Sequence, residues 1–342
     1  MFRVIINTGV CVVFVLAGIA SCVCAVETDE TEVRRLVARL DSDRLAERDD
    51  AEDALIALAE TAVPFLPTEN ALMEPNDFSE EQIVRLKNVY QAIRAQKIEK
   101  AVKKIEFHLE SAEATTGERY WIRLQTRWAE DVKPIRFLFP MRGLEGKDAS
   151  GNAVFKPVSR AASLEIPVTK NQHTGTLEFA VVSDSATKNE PKTISGECRV
   201  LLSVGEKTFS FKNIPFDGSE PKGGIKPSHR QGDVVLTIES ARIFSNPGDG
   251  HRTLSLQLRI QFDRVYTALE SHRTWIYDNK AVLWCQTDKS IEPIEVRPVA
   301  QQTNEITLAL SFDIQNEKPV EFRYTLPTIL TEKTVEFTAE TR

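Results

Sequence analysis

Glu270-Ser271-His272 sets the three side-chain types of a hydrolytic triad side by side. Nucleophilic chemistry would need the serine hydroxyl within hydrogen-bond reach of the imidazole. Neighbours on an extended segment point to opposite faces, so Ser271 and His272 do not readily share that bond. No Gly-x-Ser-x-Gly turn supports them. The segment reads as a loop pinned by Glu270 and Arg273, and no catalytic residue is assigned. The histidines His108, His173, His229, His251 and His272 stand singly, without His-x-x-x-His or Cys-x-x-Cys spacing, which argues against a zinc site. Asp148-Ala-Ser-Gly-Asn152 and Asn246-Pro-Gly-Asp-Gly250 are rich in oxygen. They lack the alternating carboxylates and closing glutamate of a calcium loop and read as hairpin turns. No metal or cofactor is expected.

Trp121, Trp128, Trp275 and Trp284 remain. Exposed indoles could stack on sugars, whereas tryptophans at alternating strand positions more often fill a core. Trp121 has the opposite parity to Tyr120 and Ile122 and shares a face with Arg123 and Arg127. These three are the candidate ligand contacts.

The elements that must position them begin with an address. Arg3 precedes the apolar run Val10–Ala20, shorter than the roughly 20 residues that span a bilayer, so residues 1–25 read as an export signal. Cleavage after Ala25 is one outcome. The other is lipidation of Cys22, because Ile19-Ala-Ser-Cys22 resembles a bacterial lipobox. Either places the chain outside the cytoplasm, in the periplasm or cell envelope, touching membrane only through the signal or a lipid anchor. After cleavage at Ala25, Cys198 and Cys285 are left. Pairing across the β modules is open to them, but cysteines on apolar strands favour separate buried thiols.

The chain has 342 residues, enough for two or three domains, and a formal charge of −7. That charge argues against a nucleic-acid partner; the lysines of Lys97–Lys104, interleaved with Glu99, read as a solvated helix face.

Residues 27–103 follow a helical period. Val33, Leu36, Val37 and Leu40 make one stripe. Asp41-Ser-Asp43 offers caps to a second helix, with Leu45, Ala51, Leu55, Leu58 and Ala62 on its apolar side. Pro64 and Pro67 suit the first turn of a third helix ending near Met73, and Ser79-Glu-Glu-Gln82 is a capping box before a long helix. Leu40-Asp-Ser-Asp43, Arg48, Ala51, Leu55, Leu58, Ala62, Pro64 and Leu66 resemble the HEAT-like units of exported planctomycete-type proteins. The resemblance covers about one and a half repeats. It implies a packing or protein-contact role and brings no catalytic residue.

After Lys104 the period becomes two. Residues 104–214 read as one β module whose last strands turn at Gly205-Glu206. Residues 215–232, rich in proline and glycine, read as a linker, and 233–342 as a second module. Leu109-Glu-Ser-Ala112 recurs as Ile238-Glu-Ser-Ala241, 129 residues later, which suggests duplication. Thr274–Tyr277 reads as a strand of the second module. The run Ala268–Asn279, with Phe322–Pro327 and Thr334–Phe337, resembles the C-terminal part of proteins of the same bacterial group and supports fold and location.

The expected fold is mainly β: two antiparallel β-sandwich (Ig-like) domains behind a small HEAT-like α-helical segment. The expected function is a non-enzymatic extracytoplasmic structural or protein-interaction protein, meeting envelope proteins through its helical face or sheet edges. The alternative is a glycan-binding β-sandwich protein, or a hydrolase acting on envelope polysaccharide.

Overall fold

The computed structural model describes residues 30–69, 71–72, 76–115, 119–156, 163–168, 172–183, 189–212, 214–216, 218, 226–245, 251–263, 269 and 274–341. The export signal with Cys22, the Glu270–Arg273 run and the Asn246–Gly250 turn lie outside the described residues. Among those described, no helix is long and apolar enough to cross a membrane.

Among the described residues three α-helices come first: α1 (Glu30–Arg39), α2 (Leu45–Leu58) and α3 (Glu80–Val102). Val33, Leu36, Val37 and Leu40 all turn inward and meet Ala51, Leu55, Leu86 and Ile93 in one apolar cluster. The capping box starts α3: Ser79 Oγ accepts from Gln82 N at 3.2 Å, and Gln82 Oε1 accepts from Ser79 N at 3.0 Å. Two otherwise orphaned donors are thereby satisfied.

Three helical expectations are corrected. Asp41, Ser42 and Asp43 do not cap α2, whose N-cap is Arg44 without a side-chain bond; Ser42 Oγ donates instead to Glu47 at 2.7 Å. Leu45 is 58% exposed rather than on the apolar side, because the helical period puts it about 120° round α2 from the buried Ala51. Among the described residues the third helix is one 3-10 turn, Val63–Phe65, and Leu66 leaves it in extended backbone at ψ 149°. Pro67 excludes the helical conformation for the residue before it.

The remainder is mainly β. The first half supplies β1 (Ile105–Thr115), β2 (Arg119–Trp128), β3 (Pro134–Pro140), β4 (Glu145–Lys147), β5 (Ala153–Lys156), β6 (Ser163–Pro167), β7 (Thr174–Ser183) and β8 (Thr193–Lys212). The second half supplies β9 (Ser228–Gln231), β10 (Val234–Ser245), β11 (Arg252–Phe262), β12 (Lys280–Cys285), β13 (Ser290–Ile291), β14 (Glu295–Gln301), β15 (Glu305–Asp313) and β16 (Pro319–Glu340). One sheet runs β1-β2-β7-β5-β4-β8-β16-β12-β13, with β3 on β8 and β6 on β3; the other runs β14-β15-β11-β10-β9. A parallel bridge between Leu109 and Thr341 brings β1 beside the end of β16.

Two apolar cores result. The first joins Phe107, Ile122, Phe137, Phe139 and Val200 to Phe337 of β16. In the second, Leu256, Leu258 and Leu308 of the five-stranded sheet face Phe211, Leu283, Phe322 and Tyr324 of the larger one. Ile98 and Val102 of α3 enter the first core, which docks the helical segment.

The ends of β8 and β16 belong to different cores. They pair from Glu321 with Lys212 to Glu340 with Thr193, so each strand serves both bodies. Gly205-Glu206 is therefore no turn: Gly205 pairs with Ile329 and Glu206 with Pro327 inside the ladder. The borders at 214 and 233 separate segments of sequence that the long strands rejoin. The linker is shorter than 215–232, because Ser228–Gln231 pairs with β10 through a tight turn at Gly232, φ +59°. Thr274–Tyr277 is not a strand. Trp275 and Ile276 are both buried in a 3-10 turn, Trp275–Asp278, and consecutive inward side chains cannot come from an alternating strand.

Candidate functional site

The repeated Glu-Ser-Ala segment has one physical meaning in both places. Leu109 pairs with Leu124 and Ser111 with Arg123, leaving Glu110 unpaired in the ladder; Ile238 pairs with Leu258 and Ser240 with Gln257, leaving Glu239 so. Each is a β-bulge that resets inward parity, from Leu109 to Ala112 and from Ile238 to Ala241, all buried. The neighbours match as well: β1-β2-β7-β5 has the order of β10-β11-β15-β14.

The two bulges differ in what surrounds the glutamate. Glu239 bonds Lys226 and lies 2.8 Å from Arg259 Nε. Glu110 is exposed and accepts from the neutral amide of Gln125 at 2.5 Å. Around it opens a shallow concavity of about 510 Å³, lined by His108, Glu110, Ser111, Glu113, Arg123 and Arg127 among others. His108 Nε2 lies 3.2 Å from Glu106.

Two of the three candidate contacts thus come together, and the third stands at the margin. Arg123 Nη2 is 2.6 Å from Glu178, and the hydrogen bond to that carboxylate raises the guanidinium pKa. Arg127 Nε donates to Gln125. Trp121 is 41% exposed, paired across the sheet with Glu113 and Ala180, and does not line the concavity. Glu110 and Gln125 escaped the reading by alternation, though recurrence of the glutamate was a signal for the bulge.

No protein-family model matches the chain, and no curated protein matches it. Among solved structures, a conserved domain protein from Bacillus anthracis is similar over 70% of this chain and 88% of that one, at 6% identity and a TM-score of 0.22. A likeness at that score carries no argument.

The other chemistry-bearing residues have structural partners. Asp148 accepts from Asn189 Nδ2 at 2.7 Å and from the backbone of Ser150 and Asn152 at 2.9 Å. These donors, the Asn189 amide foremost, hold its pKa down at about 2. The loop is a hairpin turn, with Gly151 at φ +82°. Cys198 and Cys285 are unpaired and buried, and burial raises both thiol pKa values. Trp128 packs on Phe137 at 5.0 Å, and Arg323 lies over the Trp284 ring at 5.0 Å.

Proposed function

We propose that this chain is a non-enzymatic extracytoplasmic interaction protein of the cell envelope, combining a HEAT-like helical segment with two Ig-like β-sandwich modules. Kinship with exported planctomycete-type proteins belongs to the same reading. The observation that supports it best is the contrast between the bulges. The second is closed by two cations, whereas the first leaves a polar concavity whose Glu113 pairs across the sheet with the exposed Trp121. A shallow face with arginine and tryptophan suits contact with another macromolecule. Sheet edges suit it less: β14 carries Pro298 and a bulge beside it, features that blunt strand addition.

The test is binding of envelope proteins to the purified chain. Trp121→Ala with Arg127→Ala should weaken capture about tenfold or more, whereas Glu239→Ala in the closed copy should leave it unchanged. Equal binding by all three proteins contradicts the reading. The second reading, a glycan-binding protein or polysaccharide hydrolase, is favoured by Trp121 beside Arg123. Saturable glycan-array binding lost in Trp121→Ala would select it. Export and anchoring are decided by the mass of the mature N-terminus: lipid on Cys22, or an unmodified start at Val26.

A further inference from the structure

A recess of about 300 Å³ lies where the two bodies meet. Trp128 lines it from the first body and Trp275 from the second. Both indoles are nearly buried, at 6% and 8% exposure. Each is fixed in its own body, Trp128 against Phe137 at 5.0 Å and Trp275 against Phe262 at 6.3 Å. Ser203 of β8 and Pro327 of β16 line it between them, so the recess sits over the strands that the two bodies share. It is preformed and at the small end of ligand-sized cavities, with room for one ring rather than a chain.

The polar lining is of mixed kind. Glu130 and Asp278 bring carboxylates, Gln172 and Asn279 bring amides, and Lys133 brings an ammonium that is itself 2.9 Å from Glu206. An anion would meet the carboxylates, and Lys133 is already matched by Glu206, which also lines the recess. A neutral ring with several hydroxyls both donates to carboxylates and accepts from the Gln172 amide and the Lys133 ammonium, while its C–H face can lie on an indole.

We propose that the recess between the two bodies binds one neutral saccharide ring, with Trp128 and Trp275 as apolar walls and Glu130 and Asp278 as hydroxyl acceptors. The ring is either a free sugar or the terminal unit of a glycan. This site is distinct from the Glu110 concavity and stands without the function proposed above.

The full chain should be titrated with glucose, galactose, mannose and N-acetylglucosamine, and with oligosaccharides ending in each, by tryptophan fluorescence and by calorimetry. At least one should give saturable binding, weakened about tenfold or more by Asp278→Asn and by Glu130→Gln, and unchanged in Trp121→Ala. Preference for the oligosaccharide identifies a glycan end, and equal binding a free sugar. Glu130 is exposed on a turn, so Glu130→Gln decides the matter if Asp278→Asn fails to fold. Saturation by none of the sugars, by tetramethylammonium instead, or with full affinity in a folded Glu130→Gln variant overturns the proposal.

Discussion

At the scale of residues, Asp148 is the clearest titrating anchor. Its native pKa of about 2 lies below the roughly 3.9 of an unfolded aspartate. Its contribution to stability is therefore fully present above pH 4 or so and is lost as pH falls toward about 2. Urea midpoints measured across that window should fall more steeply for the natural chain than for Asp148→Asn; parallel curves would contradict the assignment. Cys198, with no exposed surface, sits in the first core. Cys198→Ser should cost about 1–3 kcal/mol, since it puts a more polar group among apolar side chains where the backbone of Leu138 is the thiol's hydrogen-bond partner, and equilibrium unfolding will read it. The alternation of Tyr120 to Trp128 and the exposure of Trp121 were legible because strand parity is local. Trp275 was not, because a single 3-10 turn leaves no period to read.

At the scale of elements, the bulge is the informative feature. Deleting Glu110 leaves Leu109 opposite Leu124 and Ser111 opposite Arg123, with Ala112 still inward. The shortened strand should keep one cooperative transition. Deleting Leu124 shifts half of β2 by one residue, turning outward-facing arginines toward the core, and should abolish folding; circular dichroism and thermal melts separate the two. Phe322 of β16 packs near Phe211 of β8, centroids 6.2 Å apart, with neither ring exposed. Phe322→Ala should cost about 3–5 kcal/mol by urea denaturation. The repeated Glu-Ser-Ala announced a repeated hairpin, but the length of β8 and β16 stayed hidden. Gly205-Glu206 has the residues of a turn, and only pairing with distant Pro327 and Ile329 holds it extended.

At the scale of the molecule, β8 and β16 are strands of both bodies, which should therefore unfold as one unit. Arg136 of β3 reinforces the join, reaching past Leu201 of β8 to Glu332 of β16 at 2.6 Å. Two modules and a helical preface could be drawn from periodicity, since each core has its own alternating strands. Their interlocking could not, because it depends on pairing between segments far apart in sequence. The same interlock fixes Trp128 and Trp275 across the recess and leaves the Glu110 face open to solvent. Two buried thiols report on it independently: Cys198 lies in the first core, and Cys285 in β12, beside the second-body end of β16. Pulsed thiol labelling across a urea series, read peptide by peptide, should give one shared midpoint for Cys198 and Cys285. Labelling of either cysteine at a clearly lower urea concentration than the other would show that the bodies open separately and would contradict the account.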